Sequence, residues 1–343
     1  MSVVPELDIA PFLAGSPTDK MLLANELDAV CRDAGFFCLT GHGVSDEAFR
    51  EIYDVSKAFF HLDVEEKQRV AQCAPDVIRG YIGVGAAALG GLQGEETPAD
   101  WKESFSAGPV GLDLHDPYYQ GPLARGHFAP NQWPERPREF GRIWTKYYAT
   151  MTQLSSDLMR LSALALGLEE DFFANKIDRH IGILGAMYYP DQSQSPAPGQ
   201  LRAGAHTDFD TMTILRPDDA PGGLQIQTES GDWAAIKAPA GAFVVNIGDL
   251  MARWTNDRWA STLHRVVNPP HDSKLGAERL SIGFFHETNF DTLIECLPGC
   301  QSPGEGAKYP PVLAGEHIHN QFTRQVRSGD SPTGKHNSQS GGR

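Results

Sequence analysis

Ala205-His-Thr-Asp-Phe-Asp210 is the stretch that decides how this chain reads. One residue separates His206 from Asp208, and that spacing puts both side chains on the same face of an extended strand. On a helix the two would diverge by roughly 200° and could not share a metal. A third candidate, His264, lies downstream in Ser261-Thr-Leu-His-Arg-Val-Val-Asn-Pro269. Two imidazoles and one carboxylate are the donor set of a mononuclear non-haem Fe(II) site, which leaves the remaining positions for cosubstrate and oxygen. Rival pairs fit less well, the first failing on geometry unless its helix has already ended. His61-Leu-Asp63 closes the helical pattern Phe49, Ile52, Tyr53, Ser56, Phe59, and His317 and His319 sit where a polar helix begins.

Around the triad the sequence reads as short strands parted by Gly, Pro, Asn and Asp. The segments are Thr211–Leu215, Gly222–Gln227, Trp233–Ile236, Gly241–Gly248, Ser261–Val267 and Arg279–Phe285. This pattern predicts a barrel or a double-sheet jelly roll, in which strands distant in sequence become neighbours. His264 is expected within such a strand, with Thr262 and Val266 on its face. Arg279 and Ser281 share a face by the same alternation. An Arg pointing into the barrel requires a partner, and a substrate carboxylate held in a bidentate fork beside a serine hydroxyl would supply one.

Together these motifs resemble the 2-oxoglutarate/Fe(II)-dependent dioxygenases of the isopenicillin N synthase-like group, over about residues 5–325. Gly35-Phe-Phe-Cys-Leu-Thr-Gly-His-Gly-Val44 is similar to that group's opening strand and turn, and Asp100–Phe105 and Asn131-Gln-Trp-Pro134 to its middle signatures. His206-Thr-Asp208, His264 and Arg279-x-Ser281 match its functional motifs in order. The resemblance implies a mixed α/β, mainly β fold, with a double-stranded β-helix (jelly-roll) core and flanking helices. It implies Fe(II) on His206, Asp208 and His264, and 2-oxoglutarate bound through Arg279 and Ser281. O2 is the second cosubstrate, and succinate, CO2 and an oxidised product are released. Hydroxylation is the expected outcome, with desaturation or cyclisation open.

One departure stands out. Many members read Asn-Tyr-Tyr-Pro where this chain has Met187-Tyr-Tyr-Pro190, so Tyr189 can still offer a phenol to the oxo-acid but the Asn contact is gone. Two other readings remain at this point. Some members of the group use iron without 2-oxoglutarate, and a jelly roll can be a binding module with a structural Zn site. Structural Zn is usually closed by four protein ligands, and no cysteine lies near the triad in sequence.

Composition bounds the rest. At 343 residues and without a Pro/Gly/Ser-rich linker, the chain reads as one integrated unit over 1–327. Within it, residues 1–135 are helix-rich, 136–175 hold a long backing helix, and 176–327 hold the jelly-roll core and a C-terminal helix. The polar tail 328–343 is expected to be disordered. Ser16-Pro17 caps a helix carrying Leu23, Leu27, Val30, Cys31 and Ala34. From about Pro137 to Leu166, Phe140, Trp144, Tyr147, Met151, Leu154, Leu158, Leu161 and Ala165 recur at helical spacing, and Gly167 stops the run.

Five cysteines without a CxxC pair read as reduced thiols in a cytoplasmic protein. No secretory leader or membrane-spanning run is visible. A net charge of −15, from 29 basic and 44 acidic residues, with no basic stripe, argues against nucleic acid as a partner. The expected partner is a small-molecule substrate, and no protein partner is inferred. The glycine-rich Gly80–Gly94 reads either as a plain surface loop or as a lid over substrate, and as a lid it would supply contacts through Tyr81, with Trp101 and Phe105 behind it.

Overall fold

The computed structural model describes residues 4–74, 77–85, 89, 98–191, 196–270, 278–301, 304 and 306–329. Twelve strands build its two main sheets. They are β1 (Glu6–Asp8), β2 (Phe36–Thr40), β3 (Gly80–Ile82), β4 (Glu103–Ala107), β5 (Ile183–Tyr189), β6 (Ala203–His206), β7 (Met212–Pro217), β8 (Gly223–Gln227), β9 (Trp233–Ala235), β10 (Phe243–Ile247), β11 (His264–Val267) and β12 (Arg279–His286). An eight-stranded sheet runs β1-β2-β10-β7-β12-β5-β4-β3, and a four-stranded sheet runs β6-β11-β8-β9. This is the expected double-stranded β-helix with flanking helices. The N-terminal strands extend both edges of the large sheet: β2 pairs antiparallel with β10, and β4 with β5.

Alternation along these strands separates two environments. On β12, Leu280, Ile282 and Phe284 enter the main apolar core, as do Leu184, Ala186 and Tyr188 of β5. The helix Phe140–Ala165 covers that face with Phe140, Trp144, Tyr147, Tyr148, Met151, Leu154, Leu158 and Leu161. It is the helix expected from the spacing, beginning three residues later than Pro137, and it backs the sheet. Each fully buried Phe or Leu in this layer contributes about 1.5–3 kcal/mol relative to exposure.

The helix Pro17–Asp33 starts on a capping box, with Ser16 and Asp19 each accepting a hydrogen bond from the other's backbone N–H. Its chain reverses at Gly35 in the left-handed region (φ +61°), where a Cβ would meet the Ala260 carbonyl oxygen at 2.0 Å. Gly35 thereby leads the chain directly into β2.

His61 caps the helix Asp46–Phe60 and Asp63 precedes the next one, so the first rival pair belongs to a helix junction. His61 instead lies 2.9 Å from the Glu278 carboxylate. His317 and His319 lie on the helix Ala314–Gly329, as read. That helix corrects the tail boundary: residues 328 and 329 are helical, because the last turn continues past the expected break, and the remainder of the tail lies outside the described residues. The five cysteines are free thiols.

Candidate active site

The facing sheets enclose a cavity of about 250 Å³. His206 is the last residue of β6 and His264 the first of β11, and the two are direct cross-strand partners. Two details differ from the sequence reading. Asp208 lies just past the end of β6, and Thr262 lies before β11 rather than within it. The connection after β6 stays aligned because it is stapled to a neighbouring helix: Asp249 N–H donates to the Asp208 carbonyl and Leu250 N–H to that of Asp210. Strand-like spacing therefore survives without a strand ladder.

The three side chains converge. Asp208 Oδ1 is 3.7 Å from His206 Nε2 and 3.6 Å from His264 Nε2, and one ligand atom from each residue lies within 4.8 Å of the others. Each imidazole is oriented from behind by a backbone carbonyl, since Nδ1 faces Gly204 O at 2.7 Å in His206 and Thr262 O at 3.1 Å in His264. A proton on Nδ1 leaves the Nε2 lone pair directed at the shared centre, the usual device for fixing the tautomer of a metal-binding His. Asp208 is oriented in the same way. Its Oδ2 accepts from Thr213 Oγ1 at 2.5 Å and from Asn246 Nδ2 at 2.8 Å, which leaves Oδ1 for a metal.

Electrostatics fit a cation at this point. Burial first, then the His264 charge, push His206 down to about 3, so its ring is neutral and available. Burial alone would raise Asp208, but His264, His206 and the Thr213 hydroxyl hold it well below the usual carboxylate range. Burial lowers His264, yet Asp208 outweighs this and raises it. Positive charge at this centre is therefore what Asp208 favours, and a divalent ion would supply it. The donor set fits Fe(II).

On the large sheet, Arg279 and Ser281 both line the cavity from β12. Arg279 Nη1 donates to Ala220 O at 2.7 Å and lies 3.4 Å from Asp218, so the guanidinium is fixed before any ligand arrives. Gly223, whose φ of +135° favours glycine, lies alongside the guanidinium, and a Cβ there would make only an ordinary contact at 3.6 Å from its carbon. Tyr189 is the direct β5 partner of Arg279 and also lines the cavity, with its phenol pushed well above the ordinary tyrosine range by burial. Met187, which stands where the resembling group has Asn, lines the same wall.

The three expected substrate contacts do not reach this wall. Tyr81 lies on β3, and its hydroxyl donates to Glu103 in a buried cluster with Lys67. Phe105 is fully buried against Phe59, Phe140 and Trp144. Trp101 is half-buried, with its backbone N–H bound to Leu201 O. The reason is alternation: on β4, Ser104 and Ser106 face the cavity and Phe105 faces the helices. Of the glycine-rich stretch, Gly80–Ile82 is strand, while residues 86–88 and 90–94 lie outside the described residues.

Sequence reasoning also missed Thr213, Asn246 and Glu287 in the wall. A signal existed for the space itself. Gly185 and Gly283, isolated inside strand patterns, pair with each other across β5 and β12, and a lone strand glycine marks a close approach. A Cβ on Gly185 would sit 3.2 Å from the Phe285 ring, and one on Gly283 3.2 Å from Met187 Cε.

Comparison with known proteins bears on the assignment. A family described as the 2OG-Fe(II) oxygenase superfamily matches residues 180–288, and one described as non-haem dioxygenase in morphine synthesis N-terminal matches residues 4–136. A 2-oxoglutarate-Fe(II) type oxidoreductase of Emericella nidulans is 34% identical over 93% of this chain and 89% of its own. The chain belongs to the 2-oxoglutarate/Fe(II)-dependent oxygenase superfamily. A homoarginine-6-hydroxylase of Oryza sativa subsp. japonica is 33% identical, over 92% of this chain and 95% of its own. A full-length Neurospora crassa protein crystallised in complex with alpha-KG and thymine superposes with a TM-score of 0.81 at 29% identity, covering 93% of this chain and 96% of that one. As an oxygenase of this superfamily, the protein uses Fe(II) and 2-oxoglutarate. Among the described residues, no helix is long and apolar enough to cross a membrane.

Proposed function

We propose that this oxygenase hydroxylates a small organic metabolite, with 2-oxoglutarate converted to succinate and CO2. The observation that carries this reading is the meeting, in one cavity, of the two Nε2 atoms and Oδ1 of the triad with the Arg279–Ser281 face of β12. His206, Asp208 and His264 would hold the iron. Arg279 and Ser281 would take the distal carboxylate of 2-oxoglutarate, and the Tyr189 phenol would contact the oxo-acid from the neighbouring strand. The relatives support a small substrate, since one is named for homoarginine and another was crystallised with thymine.

Bound Fe(II) supplies oxygen activation. The chain's own residues do the rest. The carbonyls of Gly204 and Thr262 hold the imidazoles in the tautomer that presents Nε2, and Thr213 and Asn246 keep Asp208 from rotating. Arg279 arrives preorganised by Asp218 and Ala220, so little ordering cost falls on cosubstrate binding. Ile183, Leu215, Leu224, Val266 and Phe285 form apolar walls that limit water around the reacting centre.

The test is a substrate screen with anaerobically purified, Fe(II)-loaded protein. Mass spectrometry should find a compound that gains one oxygen, or loses two hydrogens, only with 2-oxoglutarate present and with succinate formed. Oxidation without succinate would place the chain among oxygenases that use another reductant. Absence of bound iron and of O2 consumption would leave a non-catalytic metal-binding module.

A further inference from the structure

Three carboxylates line the cavity: Asp208, Asp210 and Glu287. Asp208 accepts from Thr213 and Asn246, and Asp210 Oδ2 lies within hydrogen-bond distance of the same Thr213 Oγ1, at 2.8 Å. Asp210 Oδ1 is also buried without a partner, but Asp210 keeps its Thr213 contact through Oδ2, whereas Glu287 has no hydrogen bond through either oxygen among the described residues. It is only 5% exposed, its Oε2 is buried without a hydrogen-bond partner, and among the described residues no cation pairs with it. The two cations in the wall already have acids of their own, Arg279 at 3.4 Å from Asp218 and Lys102 at 3.3 Å from Asp100. A buried carboxyl with nothing to bind costs free energy that a folded chain retains only where something else supplies the missing partner.

Position says what that partner is. Arg279, Ser281, Phe285 and Glu287 line the cavity from β12 and the residue just past it, with the guanidinium at one end and the lone carboxyl at the other. The Arg279 end is taken by the cosubstrate in the function proposed above. The Glu287 end is left for the second reactant. Burial, and then the charge of Asp208, push the Glu287 carboxyl well up. An entering cation reverses that penalty, because a desolvated carboxylate is stabilised most by an opposite charge held at hydrogen-bond distance.

We infer that Glu287 is the specificity-determining residue for the oxidised substrate, and that this substrate carries a basic nitrogen (an ammonium, guanidinium or amidinium group) which pairs with the Glu287 carboxylate. The pairing anchors one end of the molecule while the carbon to be oxidised lies beside the triad. This inference rests on the oxygenase function proposed above.

The test is calorimetry on the full chain loaded with Mn(II), which permits binding without turnover. 2-Oxoglutarate is titrated first. Matched probes follow: agmatine with N-carbamoylputrescine, L-homoarginine with L-homocitrulline, and L-lysine with L-norleucine. Each cation is paired with a neutral molecule of nearly the same shape. In at least one pair the cation should bind at least about 30-fold more tightly, the lower bound for truncating one partner of a buried charge pair. Glu287→Gln should remove that preference, and Glu287→Asp, which keeps the charge on a shorter stem, should retain part of it.

A melting curve for each variant guards against a folding defect, and Glu287→Asp provides the second reading if Glu287→Gln is unstable. Equal affinity within every pair, no binding of any cation, or a preference that survives in Glu287→Gln overturns the inference. Wild-type protein that fails to bind 2-oxoglutarate overturns the oxygenase function itself, and this inference with it.

Discussion

The two faces of the eight-stranded sheet are built from different residues for different ends. Toward the cavity it presents Ser104, Ser106, Gly185, Met187, Thr213, Asn246, Arg279 and Ser281, with Glu287 just past the end of β12. Toward the helices it presents Phe105, Leu184, Ala186, Ile214, Phe243, Leu280, Ile282 and Phe284. The first face mixes these small and polar residues with Ile183, Tyr189, Leu215 and Phe285, because it must leave room, offer hydrogen bonds and still limit water. The second is large and apolar because it supplies the burial that holds the cavity open. The contrast teaches that aromatic size alone does not place a strand residue. Phe105 packs under the helices, while Tyr189 and Phe285 line the cavity, and the serines and glycines alternating with them mark where space is left.

Substitutions can break or sharpen that contrast. The strongest should be at the centre itself. His206→Ala, His264→Ala and Asp208→Ala should each abolish 2-oxoglutarate-dependent oxidation and weaken Fe(II) binding, read by succinate formation and metal analysis. Each removes one of three protein ligands, and full activity in any of them would end the triad assignment.

Next is Arg279→Ala on the cavity face. It should raise the 2-oxoglutarate KM by roughly 30-fold to several thousandfold, from a loss of about 2–5 kcal/mol, with Fe(II) affinity retained. Arg279→Lys should recover only part, since an ammonium lacks the planar fork.

Phe105→Ala probes the opposite face of the sheet. It should cost about 3–5 kcal/mol of stability, measured by urea denaturation, because it empties a site between Phe59, Phe140 and Trp144. Substrate KM in the folded fraction should hardly move. A large rise in that KM with unchanged stability would return Phe105 to the substrate wall and dissolve the contrast.

Asn246→Leu should weaken Fe(II) affinity by about 10–100-fold, the usual loss when a residue orienting a metal ligand is removed. The Asp208 carboxylate keeps its Thr213 bond, so activity at saturating iron should largely return.

The smallest effect concerns pH. Burial holds His180 and His127 down to about 4, and burial with the nearby His180 charge holds His286 well below its ordinary value. Unfolded histidines titrate near 6.5, so below that pH the unfolded chain binds more protons than the folded one. The stability from these neutral rings is complete above about 6.5 and is lost as pH falls toward 4. Urea midpoints should therefore drop from pH 7 to pH 5, with a shallower drop in His180→Phe.

Much of the site was legible because metal chemistry demands particular residues at particular spacings. His206-x-Asp208 with His264, and Arg279-x-Ser281, each fix a face by alternation, and these residues converge on one cavity. The N-terminal strands gave no such handle. Tyr81 and Phe105 carry no chemistry that orients them, and aromatic size suggested substrate where it meant core. A one-residue change of face is invisible in composition, since Glu103-Ser-Phe-Ser-Ala107 alternates equally well either way round. Register against β5 decides it.

By itself the sequence determined the strand-rich fold, the long backing helix and the donor set, because periodicity, caps and ligand chemistry are local properties of the chain. Only the tertiary structure decided which wall each N-terminal residue joins, that Thr213 and Asn246 orient Asp208, and that Glu287 Oε2 is buried without a hydrogen-bond partner among the described residues. Those facts depend on which strands become neighbours and which polar atoms are left over once they pack, and no local pattern encodes either.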